Sequence, residues 1–100
     1  MIPGIKIDLN GREFVTPPAS LGSVKRFLKA QAELVPGTAE YLDSMIAFVQ
    51  ETIARNYPDF THDEAEDLLD GRNIQEVVEA IQESSAMTKG KATGSPSTGT

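Results

Sequence analysis

Residues 5–18 read IKIDLNGREFVTPP, and this stretch predicts a β-hairpin at the start of an otherwise helical chain. Its first five residues alternate between apolar and polar, which is the period of a half-buried strand. Asn10-Gly11 then gives the strongest short signal for a type I′ turn, because both positions tolerate positive φ. With these two residues as the turn, Ile7 pairs with Phe14, and Pro17-Pro18 ends the second strand.

The register of this hairpin predicts which of its faces is buried. Lys6 pairs with Val15, and the predicted buried face carries Ile5, Ile7, Leu9 and Phe14. An isolated hairpin is barely stable in water, so this face must lie against the helices that follow. The predicted fold is therefore mostly α with an N-terminal β-hairpin, a small α+β domain with about four helices.

Two predicted helices come next, and each has an N-cap residue. Ser20 begins the first, whose apolar residues fall near helical spacing, and Pro36-Gly37 ends it. These apolar residues are Leu21, Val24, Phe27, Leu28, Leu34 and Val35. Thr38 caps the second and longest helix, which we expect from about residue 39 to residue 56. Its predicted buried stripe consists of Leu42, Met45, Ile46, Val49 and Ile53.

Two shorter helices complete the predicted domain. Thr61 and Glu64 have the spacing of a capping box, in which each side chain satisfies a backbone amide of the first helical turn. Asn73 and Glu76 repeat this spacing before the last amphipathic helix. The third helix is rich in acidic residues at its start, where they suit the positive end of the helix dipole.

The chain divides into a folded part and a polar tail. From Ser84 onward only Ala86, Met87 and Ala92 are apolar. Such a stretch cannot bury enough apolar surface to offset the entropy lost on ordering. The sequence therefore predicts a hairpin plus helical domain over residues 1–83 and a disordered polar tail over residues 84–100.

Composition restricts the classes of partner and chemistry. The net charge is −6, and residues 37–84 contain two basic and twelve acidic residues, a net −10. Nucleic acids and anionic membranes bind clustered basic residues, so we expect neither as a partner. The chain has no cysteine, which removes disulfides and thiolate chemistry, and no apolar run long enough to span a bilayer. We expect a location in a reducing cytoplasm.

The sequence shows no catalytic constellation. His62 is the only histidine, and it lies among acidic residues in the first turn of the predicted third helix. Metal binding needs further ligands at fixed spacing, and the sequence offers none that fit. Most nucleophilic and general-base mechanisms would lack their central residue. We therefore predict no enzymatic activity, no catalytic or metal-binding residue and no cofactor.

One alternative concerns a possible modified serine. Leu42-Asp43-Ser44-Met45 resembles the Asp-Ser-Leu signature of acyl carrier proteins, whose serine carries phosphopantetheine. Carriers place that serine at the start of a helix, whereas Ser44 falls inside a helix that Thr38 already caps. A small polar residue on a helix surface is the favoured interpretation, and an acyl carrier-like protein modified at Ser44 is the alternative.

The only basic cluster of the predicted domain lies on its first helix. Lys25, Arg26 and Lys29 lie apart from the apolar positions of that helix and form a small basic face. Such a face is usually a solvated helix side. Its charge is opposite to that of the acidic helices, so we predict that Lys25, Arg26 and Lys29 bind an acidic partner or the acidic half of a second copy.

A characteristic step between helices begins at Arg55. It reads Arg55-Asn56-Tyr57-Pro58-Asp59-Phe60-Thr61 and continues with Asp63-Glu64, Asp67-Leu68-Leu69-Asp70, Asn73 and Val77. These residues resemble the tail assembly chaperones of Mu-like bacteriophages, which show an Asn-Tyr-Pro-Asp-apolar-Thr step, a short acidic helix and a last amphipathic helix. A hairpin leading to a Pro-Pro pair and a basic helix fits the same family. Gly71-Arg72 and the polar tail depart from that pattern.

The resemblance implies a non-enzymatic assembly factor. Such chaperones bind the tape measure protein and help recruit tail tube subunits to it. The expected partners are therefore the tape measure protein and the tail tube protein, with self-association as a further possibility. The expected location is the host bacterial cytoplasm, and the protein is not expected in the mature virion.

Lys89-Gly90-Lys91 adds one further hypothesis that follows from the resemblance. Many phage tail chaperone genes contain a programmed frameshift near their end. Codons AAG, GGA and AAG for these residues would contain the run GGGAAAG, on which both tRNAs can re-pair after slipping back by one base. The hypothesis is a longer form whose second-frame domain is tethered by the polar tail, which would raise its effective concentration.

Overall fold

The computed structural model describes residues 1–86 as one hairpin followed by four helices. The elements are β1 (Ile5–Leu9), β2 (Arg12–Thr16), α1 (Leu21–Glu33), α2 (Ala39–Ala54), α3 (His62–Leu68) and α4 (Ile74–Ser84). The predicted fold class, mostly α with an N-terminal β-hairpin, is confirmed. Within residues 1–86, none of the helices combines the length and the apolar character needed to cross a membrane.

The hairpin forms in the predicted register. Ile7 lies opposite Phe14 in the antiparallel pair of β1 and β2. Asn10 and Gly11 have φ angles of 50° and 97°, as a type I′ turn requires. The side chain of Asn10 donates to the backbone oxygen of Leu68 at 3.0 Å. The turn is therefore attached to the end of α3 as well as closing the hairpin.

The core is built around α2. Helices α1, α3 and α4 and strand β2 all pack against it. The predicted buried face of the hairpin is confirmed, because Ile7, Leu9 and Phe14 are buried and Ile5 is partly buried. Aromatic side chains link the hairpin to the segment between α2 and α3. The Phe14 ring lies 5.0 Å from that of Phe60, measured between centroids. The buried apolar residues are Ile7, Leu9, Phe14, Phe27, Met45, Phe48, Val49, Ile53, Phe60, Ala65, Leu69, Val77, Val78 and Ile81.

Three of the predicted helix starts are confirmed. The Ser20 and Thr38 side chains accept hydrogen bonds from backbone amides in the first turns of α1 and α2. Thr61 and Glu64 form the predicted capping box at α3. Helix α2 ends at Ala54, two residues before its predicted end, and the chain then turns toward Pro58.

The predicted second capping box, at Asn73 and Glu76, is wrong. Asn73 has helical backbone angles, and its side chain makes no cap hydrogen bond to α4. Instead, Asp70 accepts hydrogen bonds from the backbone amides of Asn73 and Arg72 at 2.9 and 2.8 Å. The hydrogen bond from the Asn73 amide, followed by those from the Asn10 side chain and the Arg72 amide, lowers the pKa of Asp70. An aspartate three residues earlier therefore organises this turn.

The apolar residues of α1 and α2 do not all face the core. Leu42, which was predicted to be buried, is 45 % exposed, and Leu21 is 80 % exposed. Helix α1 instead turns Ser23 and Phe27 toward α2. Two contacts fix this orientation, since the Phe27 ring stacks on Phe48 with centroids 4.3 Å apart and Ser23 bonds to a residue of α2.

The folded region extends beyond the predicted boundary at residue 83. Helix α4 includes Ser84, and the Ser85 hydroxyl accepts a hydrogen bond from the Ala19 amide at 2.9 Å. Residues 84 and 85 therefore belong to the helical domain and not to the tail. Residues 87–100 of the predicted tail, including Lys89-Gly90-Lys91, lie outside the described part.

Candidate partner-binding site

The three residues of the predicted basic face have different surroundings in the structure. The Arg26 guanidinium lies 2.8 Å from the Glu51 carboxylate on α2, and the Ser23 hydroxyl donates to the same oxygen at 2.7 Å. Partial burial acts to raise the pKa of Glu51, but the hydrogen bonds from Arg26 and Ser23 outweigh it and lower that pKa. Arg26 therefore helps to join α1 to α2, although its side chain remains largely exposed.

Lys25 and Lys29 do not join α1 to α2 through an ion pair as Arg26 does. Both are exposed, and no ion pair within residues 1–86 includes either of them. The structure thus keeps two of the three predicted binding residues available to a partner and engages the third within the domain.

Exposed apolar residues lie beside the two lysines. Leu21 and Leu28 are 80 % and 51 % exposed, and Ala32 is exposed as well. At 3.6 residues per turn, residues 21, 25, 28 and 32 fall on one side of a helix, opposite Ser23 and Phe27. We call Leu21, Lys25, Leu28 and Ala32 the α1 outer face. The sequence analysis missed this face, although the seven-residue spacing of Leu21 and Leu28 was a readable signal.

A second apolar feature is a cleft of about 200 Å³ between α2 and the loop that joins α3 to α4. It is lined by Leu42, Ile46, Leu69, Asp70, Gly71 and Ile74. Its volume is below the range of about 300–1,000 Å³ that is typical of small-molecule sites. This cleft was not predicted from the sequence, because the apolar spacing of α2 places Leu42 in the core.

His62 has two acidic neighbours that the sequence analysis did not recognise as candidate ligands. The ligand atoms of Asp43, His62 and Glu66 all lie within 4.8 Å of one another, and His62 Nε2 is 3.5 Å from the Glu66 carboxylate. Glu66 is four residues after His62 on α3, whereas Asp43 is brought there by the packing of α3 on α2. These ligand types suit zinc. All three side chains are partly or fully exposed, however, and exposed acidic groups at this spacing are common without a metal.

Ser44 lies in a shallow cleft between α1 and α2, with Ser23, Phe27 and Glu51 among its neighbours. Its hydroxyl donates to the backbone oxygen of Tyr41 at 2.7 Å. The side chain is partly buried and hydrogen-bonded to its own helix, inside α2 and away from the helix start.

This geometry gives a prediction for the carrier alternative. Incubation with coenzyme A and a broad-specificity phosphopantetheinyl transferase is expected to leave the intact mass of the protein unchanged, because the Ser44 hydroxyl is held against α2. Mass spectrometry measures this directly, with a known acyl carrier protein as the positive control. A mass increase that disappears in Ser44→Ala would establish the carrier alternative.

The residues that resemble the phage chaperones join the hairpin to the helices. The Asn56 side chain accepts from the Ile2 amide at 2.7 Å and donates to the backbone oxygens of Ile2 and Val15, each at 2.8 Å. The Tyr57 hydroxyl accepts from the Val15 amide at 2.9 Å. Phe60 is buried against Phe14. This segment therefore has a structural role in the fold.

Comparisons of the chain with protein-family models, with curated proteins and with solved structures find no match.

Proposed function

We propose that this chain is a tail assembly chaperone of a Mu-like bacteriophage. In this function it binds the tape measure protein in the host cytoplasm, helps recruit tail tube subunits and is absent from the mature virion. The resemblance that begins at Arg55 supports the proposed family. The observation that carries a binding function is the α1 outer face, where Leu21 and Leu28 are exposed beside Lys25.

Physical arguments support a binding protein of this kind. A tape measure protein is a long helical protein whose amphipathic helices are exposed before the tail tube encloses them. A small helical domain can cover such helices by helix-in-groove or helix-on-helix contacts. The domain also offers an uncovered apolar surface, the α1 outer face.

Co-expression tests the proposal. The chain is expressed with the tape measure protein of the same phage, whose gene we expect directly downstream, and the soluble fraction is separated by size-exclusion chromatography. We expect the tape measure protein to be soluble only in the presence of the chain and to elute with it. A tape measure protein that remains insoluble, or that elutes alone, would show the proposal to be wrong.

The basic residues give a further prediction. Lys25→Glu combined with Lys29→Glu is expected to weaken the complex while the helical circular dichroism stays unchanged, because neither lysine forms an ion pair within residues 1–86. The loss should be larger at low salt, since exposed charges are screened beyond about 10 Å at 0.1 M ionic strength.

Lys6→Glu on β1 is the matched control, because Lys6 is also exposed but lies outside α1. It is expected to leave the complex intact. Normal binding of the double variant at low salt would remove Lys25 and Lys29 from the binding site.

A further inference from the structure

The α1 outer face has the pattern of a helix that packs against another helix. Leu21 and Leu28 are seven residues apart, which places them on one line about 10 Å apart along the axis. Ala32 on the same face is small and allows a second backbone to approach closely. A seven-residue apolar spacing is the pattern of a helix–helix seam.

We infer that the α1 outer face docks one amphipathic helix of the tape measure protein, and that acidic side chains flank the apolar stripe of that helix. This inference rests on the proposed function and adds the contact surface and the chemical character of the bound segment. The docked segment lies along α1 and is therefore about 13 residues long, the length of α1.

Charge determines the acidic character of the docked helix. Lys25 lies between Leu21 and Leu28 on the outer face, and Lys29 lies at its edge. Helices α2, α3 and α4 carry an excess of acidic residues. An acidic helix is attracted to the α1 outer face and repelled by α2, α3 and α4, so the charges favour binding at α1.

The same charges disfavour a symmetric pairing of two copies through this face. In such a pair the Lys25 and Lys29 side chains of the two copies would lie against one another, and facing like charges are destabilising. A lipid bilayer also fits the α1 outer face less well than an acidic helix does, since two lysines on an acidic domain attract an anionic membrane only weakly.

Peptide binding tests the inference. Overlapping peptides that cover the helical segments of the tape measure protein are titrated into the full chain, and affinity is measured by fluorescence anisotropy. We expect the binding peptides to have apolar residues at a seven-residue spacing with flanking Asp or Glu. Leu21→Ser combined with Leu28→Ser should weaken their binding at least about tenfold, since two apolar contacts are lost. Circular dichroism should be unchanged, because both side chains are exposed.

Leu42→Ser is the matched apolar control, because Leu42 is also exposed but lines the cleft on the other side of α2. It is expected to change the affinity by less than about twofold, as surface substitutions outside an interface do. A loss of binding in Leu42→Ser but not in the α1 double variant would overturn the inference in favour of the cleft.

Two further outcomes separate the inference from the proposed function. If the intact tape measure protein binds the chain and the α1 double variant equally well, the inference is wrong and the proposed function stands. If neither the intact protein nor any peptide binds, both are wrong. Binding to vesicles of phosphatidylserine and phosphatidylcholine that depends on Leu21 and Leu28, without binding to any peptide, would assign the face to a membrane instead.

Discussion

Replacement of Phe48 by alanine is expected to remove a large part of the free energy of unfolding of this domain. Phe48 is 2 % exposed, and its ring stacks on Phe27 where α1 meets α2. Removal of a buried phenylalanine side chain costs about 3–5 kcal/mol. The total free energy of unfolding of a small domain is only about 5–15 kcal/mol. Urea denaturation followed by circular dichroism measures the difference.

Two variants control for this effect. Phe48→Leu keeps most of the apolar volume and should cost less than Phe48→Ala, because the cavity left behind is smaller. Leu21→Ala removes an apolar side chain that is 80 % exposed and should change the free energy of unfolding by less than about 0.5 kcal/mol. Equal losses in Phe48→Ala and Leu21→Ala would contradict the packing of α1 on α2 described above.

Replacement of Asn56 by alanine is expected to loosen the hairpin from the helices. The Asn56 side chain makes three hydrogen bonds, two to the backbone of Ile2 and one to the oxygen of Val15. At a net value of about 1 kcal/mol for each hydrogen bond, the free energy of unfolding should fall by about 2–3 kcal/mol. Hydrogen exchange at β1 and β2 should accelerate more than exchange in α4, because the lost bonds hold the hairpin.

Two other variants test that explanation. Tyr57→Phe removes a single acceptor, the hydroxyl that binds the Val15 amide, and should cost less than Asn56→Ala. Gln75→Ala removes an exposed side chain of α4 whose hydrogen bond to Glu79 is long, at 3.4 Å, and should have little effect. An Asn56→Ala variant as stable as Gln75→Ala would mean that the Asn56 contacts do not hold the hairpin.

The hairpin was predictable because its determinants are local. The Asn10-Gly11 turn fixes the pairing, and a shift of one residue would move every apolar side chain to the wrong face. The caps at Ser20, Thr38 and Thr61 are local for the same reason, since each satisfies amides within three residues of itself. Such interactions depend little on the rest of the fold.

The orientation of α1 was not predictable from its own residues. The helix has two rows that could face the core, one with Leu21 and Leu28 and one with Ser23 and Phe27. The first row has two leucines, yet the second is buried because α2 supplies Phe48 for stacking and Glu51 as a hydrogen-bond acceptor. Those partners are distant in sequence, and only tertiary packing brings them to α1.

The last helix start shows a competition between two capping residues. Asn73 and Glu76 match the capping-box spacing. The Asp70 carboxylate instead accepts hydrogen bonds from the amides of Arg72 and Asn73, and Asn73 is part of the loop. The Asn73 side chain then accepts from the Asp70 amide at 2.7 Å. A pattern of spacing alone does not show which of two neighbouring acceptors is used.

The candidate site was predictable in part. The sequence singled out Lys25, Arg26 and Lys29 by charge, and all three are at the surface. It could not show that Glu51 engages Arg26, because that contact joins residues 25 positions apart. The leucines of the α1 outer face were not predicted as part of the site, because a sequence alone does not distinguish exposed leucines from buried ones.

The hydrogen bonds of Asn56 and Ser85 have a consequence for protein engineering. Asn56 holds Ile2 next to Val15, and Ser85 is held by Ala19, so residues 2 and 85 are both attached to the segment from Val15 to Ala19. Val15 and Ala19 are four residues apart, which spans at most about 14 Å. A glycine-rich linker can therefore join residues 2 and 85 in a circular permutant of the described domain. Gly71, which is exposed and has open space around it, is the natural position for the new termini.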